Sequence, residues 1–181
     1  MMNTDKQTGF SLLEVLIALL VLSIGLLGIA GLQATSKRTN FEAIQRTTAV
    51  LLARDIIERM RANADVLASY TGVTVTPGSL AAPNPACTSA NPCDDETQLA
   101  AYDLYQWQQA ISGASETKGG VNTGGLVEPY GCIVAGVNPN EVTVTIAWRG
   151  LIELTSPSAN PCGSALGNNR RLLELDTVIV P

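Results

Sequence analysis

The sequence predicts an α+β protein, in which one long N-terminal helix, apolar enough in its first half to span a membrane, packs on a small antiparallel sheet. Three observations carry this. Phe10 to Leu32 is an almost unbroken apolar run. Beyond it, apolar residues recur at 3–4 spacing from Ala49 to Leu67, and no proline interrupts Phe10 to Thr76. Towards the other end, Glu141 to Arg149 reads EVTVTIAWR, with the alternation of a half-buried strand. The chain divides accordingly. Residues 1–9 form a short polar segment, 10–69 a long helix with 10–32 in the membrane, and 70–181 a globular head.

The apolar run decides the class. As a helix, Phe10 to Leu32 is about 34 Å long, enough to cross a hydrocarbon core of ~30 Å. Glu14 lies four residues into it. An acid in a membrane span costs about 2–4 kcal/mol, less near the interface, and so marks a functional candidate. A cleaved secretory signal has a shorter apolar region, no buried acid and a small-residue cleavage site at its far end. A plain signal anchor, with Glu14 snorkelling to the near interface, is the simpler alternative. Gly25, Gly28 and Gly31 lie within the run and serve equally as close-packing positions or as ordinary membrane-helix glycines.

Past the membrane the helix continues. Ala49, Ala53, Ile56, Met60 and Leu67 form its apolar stripe, flanked by Leu52, Ile57 and Ala64. Arg54, Glu58, Arg61 and Asp65 form a solvated stripe of alternating sign. Asp55 and Arg59 stand four apart in the favourable acid-first order. Helix formers are sparse from Thr35 to Asn40, where a break into two helices is the competing reading.

Tyr70 to Asn91 is rich in Thr, Ser, Pro and Gly and reads as loop, with a short strand at Val73 to Val75. Asp94 and Asp95 supply N-cap chemistry for a second helix, Asp94 to Ile111, carried by Ala100, Leu104, Trp107 and Ile111. Ser112 to Gly125 is glycine-rich and reads as loop. Gly131 to Ala135 and Glu141 to Arg149 pair as a hairpin through Asn138-Pro139-Asn140. Thr155 to Asn169 is a long loop. Arg171 to Val180 closes a sheet of three or four strands over the exposed half of the first helix.

Composition narrows the chemistry. The chain has 181 residues, a net charge of −5 and no histidine. Ser-His-Asp and Cys-His catalytic sets are therefore excluded, along with the commonest metal ligand. No basic cluster interleaved with aromatics supports nucleic-acid binding. The acidic cluster Asp94, Asp95 and Glu96 lacks EF-hand spacing, and a helix N-terminus accounts for it. Neither a catalytic set nor a metal or cofactor site is expected. All four cysteines, Cys87, Cys93, Cys132 and Cys162, follow the apolar run, which suits an oxidising, periplasm-like space. CxxC spacing for zinc is absent. Of the three pairings four cysteines allow, Cys87–Cys93 with Cys132–Cys162 is favoured. The first clips a short Pro-containing loop. The second closes a loop of about 30 residues, for which chain entropy gives ~3–4 kcal/mol.

The string G-F-S-L-L-E-V-L-I-A-L, beginning at Gly9, resembles the type IV prepilin signature. The resemblance implies a cytoplasmic leader, Met1 to Gly9, that a membrane-bound prepilin peptidase cuts between Gly9 and Phe10. The same enzyme would N-methylate Phe10. Glu14 matches the family's assembly acid, which is thought to pair with the terminal amine of a neighbouring subunit. An α-amine has a reference pKa near ~8 and is cationic at neutral pH, so cleavage creates the charge that Glu14 needs. Lys6 and Asp5 precede the span while Lys37 and Arg38 follow it, so the positive-inside rule decides little here. Cysteine placement and the prepilin pattern favour a cytoplasmic N-terminus, with one pass through the inner membrane and a periplasmic head.

Further on, ARDIIERMRAN, Ala53 to Asn63, is similar to PilV-type minor pilins. More loosely similar are Cys132, VTVTIAWRG at Val142 to Gly150, Cys162 and the pair Arg170-Arg171. This implies a non-enzymatic, low-abundance subunit that joins other minor pilins, the major pilin, the pilus assembly platform and a tip adhesin. Its work would be priming of pilus assembly and support of motility and adhesion. The close rival is a minor pseudopilin of a type II secretion system. A membrane-anchored periplasmic enzyme or binding protein is the rival of another class.

Overall fold

A computed structural model describes residues 9–138, 140–155 and 158–180. Residues 1–8 of the expected leader, and Pro139 in the expected hairpin turn, lie outside them. The chain forms two compact units, Met1–Phe41 and Glu42–Pro181.

Helix α1 runs Leu12–Ala62, 51 residues. In the first unit its apolar side chains lie bare, with Phe10, Leu12 and Leu27 among the most exposed. Among the described residues, α1 is the one helix long and apolar enough to cross a membrane. No break occurs at Thr35 to Asn40. The Thr35 and Thr39 hydroxyls donate to the carbonyls of Gly31 and Thr35, each at 3.2 Å. Both hydroxyls are thereby satisfied within the helix, so these poor helix formers sit in it without an unpaired side-chain group.

The second unit is an α+β head. From Glu42 onward α1 turns one stripe inward, and Ala49, Ala53, Ile56 and Met60 are fully buried. A 3₁₀ segment, Ala64–Ser69, follows and leads to strand β1, Val73–Val75. Helix α2, Glu96–Ser112, buries Ala100, Leu104, Trp107 and Ile111. Asp95 is its N-cap: the carboxylate accepts the Gln98 amide at 2.8 Å and the Thr97 hydroxyl at 2.6 Å, which hold it below the usual carboxylate range, the hydroxyl most. The glycine-rich stretch expected to be loop contains a small hairpin, β2 (Thr117–Lys118) and β3 (Val121–Asn122). Its two-residue strands are too short for an alternating pattern to reveal. Then come β4 (Tyr130–Ala135), β5 (Glu141–Arg149), a 3₁₀ segment (Ser164–Asn169) and β6 (Arg170–Val178).

The sheet is antiparallel, in order β1-β4-β5-β6. Its inner face meets α1 and α2 through Val75, Ile133, Val142, Val144, Ile146 and Trp148, all buried. The outer face of β5 is covered as well. Cys132, Ala147, Cys162 and Leu166 form a second, smaller cluster there. That explains why Thr145 and Ala147, the alternate positions of β5, are also buried. A Cβ on Gly163 would stand 2.7 Å from that of Ala147, so the chain returns over the sheet where it has no side chain.

Gly131 has a comparable role on the inner face. A Cβ there would meet the Trp107 ring at 2.4 Å and Val75 at 2.9 Å. Gly131→Ala should therefore overpack the core and cost about 1–3 kcal/mol. Thermal unfolding of the detergent-solubilised chain followed by near-UV circular dichroism should show a lower midpoint. An unchanged midpoint would mean that Trp107 can move aside without loss.

Candidate functional site

The N-terminal site is built by the start of α1. Gly9, Phe10 and Ser11 precede the helix, and the Ser11 carbonyl accepts the amides of Glu14 at 3.0 Å and Val15 at 3.3 Å. Glu14 therefore stands in the first turn, where the helix dipole favours an anion. Phe10 is 85% exposed, and Glu14 is exposed with no hydrogen bond or ion pair from its side chain among the described residues. Phe10, Glu14, Val15, Ala18, Leu19 and Leu22 line one shallow apolar face. A Cβ on Gly25, Gly28 or Gly31 would meet nothing within 4 Å. These glycines make no close contact within the chain, and their backbone stays open to another helix.

The head treats its charges differently. Arg59 pairs with Asp55 and with Asp103, each at 3.0 Å. Asp103 is buried in α2 and also accepts the Tyr70 hydroxyl at 2.6 Å. Asn63 donates to that hydroxyl at 3.1 Å and to the Glu96 carbonyl at 2.8 Å. The end of α1, the following 3₁₀ segment and the start of α2 are thus joined by one internal polar network. Burial opposes the charge on Arg59, and its bonds to Asp103 and Asp55 outweigh this, so its pKa is raised. Burial, then the bond to Asp103, push the Tyr70 hydroxyl well above its ordinary value. Only the Asp55–Arg59 pair stood out in the sequence. Asp103 had one available signal: an acid on the same helical face as Ala100, Leu104 and Trp107.

Two disulfides brace the head. Cys87–Cys93 spans 4.6 Å between Cα atoms and Cys132–Cys162 spans 6.1 Å. The second fastens the segment before β6 to the outer face of β4. Arg170 holds the same segment, donating to the carbonyls of Asn160 at 2.6 Å and Cys162 at 2.7 Å, and to that of Ser158. Trp107 of α2 is fully buried, and its indole N–H donates to the Leu52 carbonyl at 2.9 Å. Among the described residues no three acidic or cysteine side chains cluster to hold a metal.

Residues 31–105 match the Tt1218-like family model, described as type IV pilin Tt1218. Residues 4–30 match the prokaryotic N-terminal methylation motif. No curated protein and no solved structure matches the chain. The fold is the α+β, type IV pilin-like one, a long N-terminal helix packed on a small antiparallel sheet. The two matches support a pilin or pseudopilin role, with membrane anchoring through the apolar helix, processing by a prepilin peptidase and incorporation beside other pilins.

The Tyr70 bond has a pH signature. A folded-state pKa raised above the unfolded value of ~10 contributes stability that is fully present below pH ~10 and is lost as pH rises towards the folded value. Tyr70→Phe should lower stability near neutrality by about 1–2 kcal/mol, because Asp103 and Asn63 each lose a partner. It should also flatten the fall in melting temperature between pH ~9 and ~11 relative to wild type. Equal alkaline slopes in the two proteins would remove Tyr70 from the account.

Proposed function

We propose that this chain is a PilV-type minor pilin, made as a prepilin. Prepilin peptidase removes Met1 to Gly9 and methylates Phe10. The chain then sits in the inner membrane with its head in the periplasm until it enters a filament. There it joins other minor pilins in a priming and tip complex that starts assembly of the major filament, presents an adhesin and supports twitching motility and adhesion.

The observation that carries this reading is Glu14, an acid in the exposed first turn of an otherwise apolar helix, four residues after the predicted new terminus. In lipid it lacks a countercharge, and the cationic amine of a neighbouring subunit supplies one, fixing axial register as the helix passes from lipid into a bundle. The bare apolar surface from Leu12 to Leu32 suits both surroundings, since the helix moves between them without meeting water. The braced head adds a surface of its own to the assembly. Similarity of Ala53–Asn63 and of the Val142–Gly150 strand to PilV-type subunits favours the pilus over secretion.

Mass spectrometry of sheared pili and of the membrane fraction tests it. The expected N-terminal peptide begins at methylated Phe10 and occurs in sheared pili. A processed chain found only in membranes would favour a pseudopilin. A chain that keeps Met1–Gly9 beside an active peptidase would sink the prepilin reading. Glu14→Ala should be cleaved normally and fall at least about tenfold in pili, the equivalent of ~1.4 kcal/mol of lost pairing. Incorporation equal to wild type would remove the pairing role.

A further inference from the structure

Strand β6 is the outer strand of the sheet, with β5 on one side and no strand on the other among the described residues. Its register runs from Glu141 opposite Val178 to Arg149 opposite Arg170. The Ile179 amide bonds the Asn140 carbonyl at 2.9 Å and the Gly150 amide bonds the Asn169 carbonyl at 2.7 Å, continuing that register at both ends. Bonded and non-bonded pairs alternate in an antiparallel ladder. The odd-numbered residues of β6 therefore turn their amides and carbonyls towards β5. Leu172, Glu174, Asp176 and Val178 turn theirs towards the free edge.

Charge differs across that edge. On one face, Glu42 meets Arg171 at 3.5 Å and Arg61 donates to the Thr177 hydroxyl at 3.2 Å, which identifies the flank of α1 lying along β6. At about 100° per residue, Arg46, Arg61 and Arg54 fall about 40°, 100° and 120° round the helix from Glu42, on this same flank. Arg61 pairs with Glu58 at 2.6 Å and Arg171 with Glu42. Arg46 and Arg54 are exposed and have no ion pair among the described residues. Between them and the edge, Leu173 and Leu175 are only half-buried. On the other face, Glu174 and Asp176 are exposed.

We propose that the free edge of β6 receives an extended strand from a different protein, whose acidic and apolar side chains face α1 and whose basic ones face Glu174 and Asp176. Strand addition satisfies the open backbone groups, and alternate side chains supply specificity. A second copy is the wrong occupant. Antiparallel pairing of two β6 strands, about a two-fold axis normal to the sheet, would set Glu174 and Asp176 against the same acids, and Arg46 and Arg54 against the same cations. Like charges opposed across a strand pair destabilise it, and this is how edge strands avoid their own kind. The proposal goes beyond the pilin reading and depends on the head alone.

Photocrosslinking of the full chain in cells tests it, with p-benzoylphenylalanine in place of Val178, and in place of Leu99 on α2 as the control. Val178 should give an adduct with another protein, in which the linked peptide alternates acidic residues with basic ones. The combined variant Arg46→Glu, Arg54→Glu should lower the yield about tenfold. Asp176→Pro should also lower it, because it removes an edge-facing amide and leaves the β5 ladder whole. An intact Cys132–Cys162 bond on a non-reducing gel reports folding, and the exposed arginine pair keeps the test decisive if the proline variant does not fold. An adduct with a second copy alone, no adduct at Val178, or a yield untouched by the arginine reversals would overturn the proposal.

Discussion

The head depends on one stripe of α1 being narrow and apolar. Ala49 and Ala53 are fully buried in this stripe without adding bulk, and Ile56 and Met60 are its larger buried side chains. The long Trp107 side chain spans from α2 to α1, where its indole N–H donates to the Leu52 carbonyl. The polar ends of the stripe fix its alignment. Glu42 accepts the Leu151 amide at 2.6 Å, Gln45 accepts the Val127 amide at 3.1 Å, and Arg61 reaches β6. A larger residue at either fully buried alanine would overpack this stripe.

The two acids on apolar helix faces are handled in opposite ways. Asp103 lies within the head and is answered by Arg59 and Tyr70, so its charge is complete inside one chain. Glu14 lies on a bare face with no such answer from the described side chains. Its dipole position in the first turn eases the charge without neutralising it. The head therefore answers its buried acid internally, whereas the apolar half of α1 has a surface suited to lipid or to other helices.

Much of this was legible in the residues. The apolar stripe of α1, the four-residue phase of α2 and the alternation of β5 each came from periodicity, since burial on one face leaves a repeat. The features that escaped had no repeat to leave. Thr145 and Ala147 are buried because Cys162 brings a later segment over β5, and nothing within β5 announces it. The β2–β3 hairpin is too short for alternation. Tyr70, Asn63 and Asp103 meet only after three elements pack, so their network is a tertiary fact. At the N-terminus, the place of Glu14 in an apolar helix was legible because it depends only on spacing along the chain.

The two disulfides differ in when they can close. Cys87 and Cys93 are six residues apart, and both precede Cys132 in the chain. Cys132 and Cys162 are separated by 30 residues and meet only once the strand and the returning segment are both present. For a chain emerging in order, an oxidant that joins neighbours as they appear closes the local loop first. Cys132 then has a single remaining thiol to wait for. On such a route the order of the cysteines along the chain would select one of three conceivable pairings, and so would act as a timetable for oxidation.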